Sequence, residues 1–136
     1  MTMMAPVRAM VERPYRISLI AGPAAAAQAR RHVWAIIRAW DVPVDGYTAA
    51  LLASELVTNA IRHAGDEHDP VELVVCWAGG LLRVEVHDGS RSAPAQVHAL
   101  PYAEAGRGLM LLDSLSTDWG YRETASGKAV YFTLAQ

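Results

Sequence analysis

Glu55-Leu56-Val57-Thr58-Asn59-Ala60-Ile61-Arg62-His63-Ala64 lies near the middle of a chain of 136 residues. Glu55 and Asn59 are four residues apart, so on a helix they share one face. Asn is a weak helix former, and both residues are polar within an otherwise apolar segment. One reading is a solvated helix face. The other is a metal and nucleophile site, with the Asn59 oxygen on a hard cation such as Mg²⁺ and Glu55 accepting a proton from an attacking hydroxyl or water. The helix starts near Asp45 and runs to about Ala64, where Gly65 stops it. Leu51, Leu52, Leu56 and Ala60 are then expected to face a sheet.

Upstream, Tyr15–Ile20 alternates apolar and polar residues as a strand does. Gly22-Pro23 breaks the chain and sets up a helix start. Ala24–Trp40 follows as an Ala-rich helix with Val33, Ile36, Ile37 and Trp40 in one stripe, ended by Val42-Pro43. Residues 1–14 lack periodicity and read as a fraying tail, leaving 15–136 as a single domain. Downstream, Val71–Ala78 and Leu81–Val86 flank Gly79-Gly80 as a central hairpin. Asp88–Ala105 is a long loop, and a loop of that length in a compact domain is usually functional or disordered. A helix is predicted from Gly108 to about Leu115. Thr117–Glu123 and Ala129–Leu134 form a closing hairpin around Ser126-Gly127. The predicted order is β-α-α-β-β-loop-α-β-β.

Two further places suggest chemistry. Asp88 follows a strand and precedes Gly89, which lets a ligand approach the backbone. A carboxylate there suits a donor such as the 6-amino group of adenine. Guanine presents an oxygen at that position and would leave the carboxylate unpaired, at roughly 1–3 kcal/mol or more. The competing reading is a simple Asp-Gly turn. Gly106-Arg107-Gly108 opens a helix, where free backbone N–H groups and the helix dipole favour phosphate. The long loop ahead of it fits a movable lid.

Other chemistries lack support. Gly127-Lys128 is no phosphate-binding P-loop, because Arg122 stands at the first glycine place and Ala129 at the Ser/Thr place. No His pair has zinc spacing, and Asp66, Glu67, His68 and Asp69 read as a solvated loop. A net charge of -2 gives no basic face for nucleic acid. Cys76 is the only cysteine, which excludes an internal disulfide and suits a reducing compartment. Within its apolar run it is expected to be a buried, inert thiol. No stretch is long and apolar enough to span a membrane. Ile17–Ala29 has some features of a secretory signal, but Gly22-Pro23 interrupts it, so a cytoplasmic address is expected.

Taken in order, Glu-x-x-x-Asn on a helix, Asp-Gly after a strand and Gly-x-Gly after a long loop resemble a known family. Glu55 to Ala64 is similar to the N box of the Bergerat-fold ATPases, the superfamily of gyrase, heat-shock chaperone, histidine-kinase and mismatch-repair ATPases. Val86-His87-Asp88-Gly89-Ser90 resembles its first glycine box, and Gly106-Arg107-Gly108-Leu109-Met110-Leu111 its second. The Glu-Leu-Val-Thr-Asn wording and the ending Gly127-Lys128-Ala129-Val130-Tyr131 are closest to the anti-sigma-factor serine/threonine kinases of the RsbW and SpoIIAB type. The resemblance covers roughly residues 15 to 134. It implies a two-layer α/β sandwich, with a mixed, mostly antiparallel sheet and helices on one face. It implies ATP and Mg²⁺, with Glu55 as base, Asn59 on the metal, and Asp88 on adenine. His63, Gly89, Gly106, Arg107, Gly108 and Leu109 complete the implied nucleotide contacts. The implied partners are an anti-anti-sigma (STAS-domain) protein as phosphate acceptor, a sigma factor that is sequestered, and a second copy in a homodimer. One departure stands out: where the superfamily's first glycine box often reads Asp-x-Gly-x-Gly, Ser90 and Ser92 occupy the glycine places.

Three functions compete at this level. The first is a protein kinase that also binds a sigma factor. The second is a non-catalytic module whose lid is ordered by ATP and then docks a partner. The third is an adaptor that binds no nucleotide. The strand Tyr15–Ile20 is expected to have an open edge and to contribute to a dimer interface.

Overall fold

The computed structural model describes residues 14–63, 70–89 and 110–136. Strand β1 is Tyr15–Leu19, followed by helix α1, Ala25–Trp40, and helix α2, Gly46–His63. Then come β2, Val71–Ala78, β3, Leu81–Asp88, β4, Asp118–Thr124, and β5, Gly127–Ala135. Residues 110–115 are helical. The order of the elements is the one read from the sequence. Three details differ. Asp88 is the last residue of β3 and not the start of the loop. Gly127 opens β5, so the closing turn is Ala125-Ser126. Leu51 is only half-buried, while Leu52, Leu56 and Ala60 enter the core as expected.

The sheet runs β1-β2-β3-β5-β4, and every pairing among the described strands is antiparallel. The expected parallel component of a mixed sheet is absent from them. Among the described strands β1 lies at an edge, the position expected for it. Gly79 and Gly80 both have positive φ at the β2–β3 turn, a conformation open to glycine at no steric cost.

Alternation along each strand puts its even and odd residues on opposite faces. One face carries Val71, Leu73, Val75 and Trp77 from β2, Leu82, Val84 and Val86 from β3, and Phe132 and Leu134 from β5. These pack with Val33, Ile36 and Ile37 of α1 and Leu52, Leu56 and Val57 of α2. The result is a two-layer sandwich with both long helices on one face. Burying a large side chain such as Phe132 or Leu52 contributes about 1.5–3 kcal/mol.

Local chemistry sets the helix ends. Asp41 adopts left-handed backbone, φ 55°, and the N–H groups of Asp41 and Val42 close α1 on the carbonyls of Arg38 and Ile37. Asp45 caps α2. Its carboxylate accepts from the Tyr47 N–H at 3.2 Å and from the Thr48 hydroxyl at 2.7 Å. Gly46 then lets the start of α2 pass close to the Trp34 ring on α1, since a Cβ there would meet the ring at 3.0 Å.

Candidate functional site

α2 lies across β3 and β5. Its buried stripe, Ala49, Leu52, Ala53, Leu56, Val57 and Ala60, turns to the sheet. Glu55 and Asn59 flank that stripe, one turn apart, and both are half-buried. The neighbouring hydroxyls are satisfied within the helix: Ser54 donates to the Leu51 carbonyl at 2.7 Å and Thr58 to the Ser54 carbonyl at 2.8 Å. Glu55 and Asn59 make no side-chain hydrogen bond with another described residue. They are therefore available to a ligand at the edge of the core. His63 is the last residue of α2.

Asp88 follows Val84 and Val86 on the same alternation, so it faces the helix side of the sheet. It is buried, with a side chain only 1% exposed. Directly across the ladder stands Lys128 of β5, whose side chain is 4% exposed and whose Nζ lies 3.5 Å from Asp88 Oδ1. Gly127 makes this end of the sheet very tight. A Cβ on it would run into the Asp88 carbonyl oxygen and Gly89 Cα, which are backbone atoms without freedom to move aside. Helix α2 with Glu55 and Asn59, and the strand end with Asp88, thus share one side of the sheet. Gly89 is exposed just beyond. Gly106, Arg107, Gly108 and Leu109 lie outside the described residues, as does the run from Asp66 to Asp69.

Clefts lined by described residues border these elements. One of about 610 Å³ lies between the entry to α1 and the C-terminal half of α2, lined by Gly22, Pro23, Ala26, Thr58, Ile61 and Arg62. A shallower one of about 350 Å³ approaches Asp88 and Gly89 from the open face of the sheet, past Ser18, Glu72 and His87. Neither contains Glu55 or Asn59.

The open face carries a second polar group. Glu85 is buried there and accepts from Arg83 Nε at 2.5 Å, His87 Nε2 at 2.7 Å and Arg122 at 3.0 Å. Arg83 also stacks on Tyr131, its Cζ 3.9 Å from the ring centre. Burial raises the Glu85 carboxyl, but hydrogen bonds from Arg83 and His87 and the charges of Arg83 and Arg122 outweigh it. The net shift is downward. Cys76 lies on this same face, half-exposed, so the expectation of a buried thiol is corrected: strand alternation turns it away from the core. Burial and the nearby Glu85 push its thiol up, which keeps it protonated and unreactive at neutral pH.

Two features escaped the sequence reading. Lys128 enters that reading only within a failed P-loop and the closing Gly127–Tyr131 run, yet it shares the alternation of Val130, Phe132 and Leu134, and a lysine on the core stripe of a strand is a signal in itself. The Arg83-Glu85-His87 alternation likewise marks a polar face on β3.

Residues 19–134 match the family described as the histidine kinase-like ATPase domain. The chain belongs to that family. Its fold is shared with part of a structure of the RsbU and RsbW domains of Rv1364c from Mycobacterium tuberculosis, at 24% identity and a TM-score of 0.60, over 90% of this chain and 32% of that one. It is also shared with the histidine kinase domain of the blue-light activated histidine kinase EL346 from Erythrobacter litoralis, at 20% identity and a TM-score of 0.55, over 85% of this chain and 64% of that one. The chain thus spans about a third and just under two thirds of these two. No curated protein matches it significantly. Membership of the histidine kinase-like ATPase family implies ATP binding. Among the described residues, no helix is long and apolar enough to cross a membrane.

Proposed function

We propose that this histidine kinase-like ATPase domain is an ATP- and Mg²⁺-dependent serine/threonine protein kinase of the anti-sigma-factor type. Its substrate is an anti-anti-sigma protein with a STAS domain, it sequesters a sigma factor, and it works as a homodimer. The observation that carries this reading is the placement of Asp88, a buried carboxylate, on the same side of the sheet as the helix bearing Glu55 and Asn59.

Each residue has a defined task. Asp88 accepts from the 6-amino group of adenine, with Gly89 and His63 beside the nucleotide. Gly106, Arg107, Gly108 and Leu109 hold the phosphates. The donor set around Asn59 fits Mg²⁺ and not a metal that needs a protein cage. No cluster of three His, Cys, Asp or Glu exists among the described residues, and Mg²⁺ is commonly held by few protein oxygens plus substrate phosphates. When bound, Mg²⁺ neutralises phosphate charge during in-line transfer. Glu55 accepts the proton of the acceptor hydroxyl as its oxygen bonds to the γ-phosphorus and ADP departs. Among the described strands β1 lies at an edge of the sheet, and an edge strand suits the homodimer contact.

The test is transfer of radiolabelled γ-phosphate to the anti-anti-sigma partner isolated from the same cell. Wild-type chain is expected to label it on serine or threonine. Glu55→Ala is expected to lower the rate by 10²-fold or more, in the range set by loss of a general base, while ATP binding persists. Undiminished transfer by Glu55→Ala would remove the base assignment. ATP-dependent partner binding without any transfer would leave a non-catalytic binding module in its place.

A further inference from the structure

Lys128 is the only lysine in the chain, and it is buried on the core side of β5. Strand register places it opposite Asp88, the residue assigned above to the base of the nucleotide. Its ammonium carries three donors. None of them reaches a hydrogen-bond acceptor among the described residues. The closest carboxylate oxygen, Asp88 Oδ1, is 3.5 Å away, against the 2.7–2.9 Å of a charge-assisted hydrogen bond. A buried ammonium is costly unless paired and hydrogen-bonded, and a buried donor left over in this way calls for a physical reason.

A purely structural counter-ion does not supply one. Replacing a buried ion pair with apolar groups is often neutral or stabilising, and Val130, Phe132 and Leu134 show that this stripe accepts apolar side chains. The close approach of Gly127 to the Asp88 backbone holds β5 against the end of β3, so Lys128 has a fixed base from which to extend. What the pair presents is an acceptor and a donor side by side. Adenine presents the complement: a 6-amino donor flanked by a ring-nitrogen acceptor on either edge, N1 or N7.

We propose that Lys128 is a base-reading residue of the nucleotide site, donating to a purine ring nitrogen next to the amino group that Asp88 accepts. The assignment rests on the ATP reading above and adds to it a second, direct contact to the base. It also gives the buried ammonium its missing acceptor when nucleotide is bound.

The experiment removes the acceptor from the ligand. The full chain is titrated, in Mg²⁺, with ATP, 1-deaza-ATP and 7-deaza-ATP by displacement of a fluorescent ATP analogue. One deaza nucleotide is expected to bind the wild-type chain about tenfold more weakly than ATP, as loss of a hydrogen bond to a charged donor requires. Lys128→Met keeps the length and drops the donor, and is expected to bind ATP and that deaza nucleotide equally. Circular dichroism establishes that this variant is folded. If it is not, the three nucleotides compared on the wild-type chain decide the matter alone. Equal binding of all three by wild-type overturns the role of Lys128 and leaves the ATP site intact. So does an unchanged preference in Lys128→Met. Failure of wild-type to bind any of them overturns the ATP reading, and this inference with it.

Discussion

Glu85 and Asp88 show how position on a strand decides what a carboxylate does. Three residues apart, they fall on opposite faces of β3. Glu85 is ringed by Arg83, His87 and Arg122 and is committed to them. Asp88 faces the helices and lies across the ladder from Lys128. The downward shift of Glu85 has a consequence for acid stability. A carboxyl whose folded value lies below its unfolded value stabilises the fold above the unfolded value, near 4.5, and that contribution is lost as pH falls through the folded value. Wild-type melting temperature is therefore expected to drop as pH falls below about 4.5 and lower. Glu85→Gln removes the charge. At pH 7 it is expected to cost about 1–2 kcal/mol in denaturant melts, the lower part of the range for charged hydrogen bonds because Arg83 and Arg122 stay partly solvated. Its melting temperature should then change less than that of wild-type across the acid range. A variant with an unaltered acid profile would show that the cluster contributes nothing beyond its geometry.

At the scale of elements, the two helices and the strand ends are held by different devices. α2 depends on Asp45, whose carboxylate receives the Tyr47 N–H and the Thr48 hydroxyl. Asp45→Ala is expected to destabilise the domain by about 1 kcal/mol, measured by urea unfolding, with no change in ATP affinity because the cap lies at the far end of the helix from His63. The β3–β5 ladder depends on Gly127. Gly127→Ala places a methyl against Asp88 and Gly89 backbone, and is expected to cost about 1–3 kcal/mol by forcing the strands apart. Because the strain falls on Asp88 itself, ATP affinity is expected to drop as well. Calorimetric titration of this variant with Mg-ATP checks it: wild-type affinity would mean that the strand end is not part of the nucleotide site.

For the whole molecule, the sandwich is one-sided. Both long helices cover one face of the sheet, and the proposed nucleotide site lies on that side, by α2 and the end of β3. Ligand that binds only the folded state stabilises it, by about 2.7 kcal/mol at 100 times its dissociation constant. Thermal melts of the wild-type chain are expected to shift upward by several degrees with millimolar Mg-ATP, and Asp88→Asn is expected to abolish most of the shift. A wild-type melt unmoved by Mg-ATP would favour an adaptor that binds no nucleotide.

How much of this was written in the sequence follows from the range of the forces involved. Helices and strands follow from local periodicity and from breakers such as Gly22-Pro23, Gly79-Gly80 and Val42-Pro43, so each described element lies where its pattern puts it, with β3 and β5 somewhat longer than their patterns. Glu55 and Asn59 share a helix face because 3.6 residues make a turn, whatever the rest of the chain does. Which face of the sheet a strand residue joins is also set by alternation, but what it meets there is set by register between distant strands. Cys76 looked buried because its run is apolar, and only the covering of one face and not the other turned it outward. Lys128 meets Asp88, 40 positions earlier in the sequence, because β5 pairs with β3 in one register and no other. No local pattern encodes that meeting, since a one-residue slip of β5 would send Lys128 and the apolar stripe of that strand to the other face, and the burial of that stripe forbids the slip.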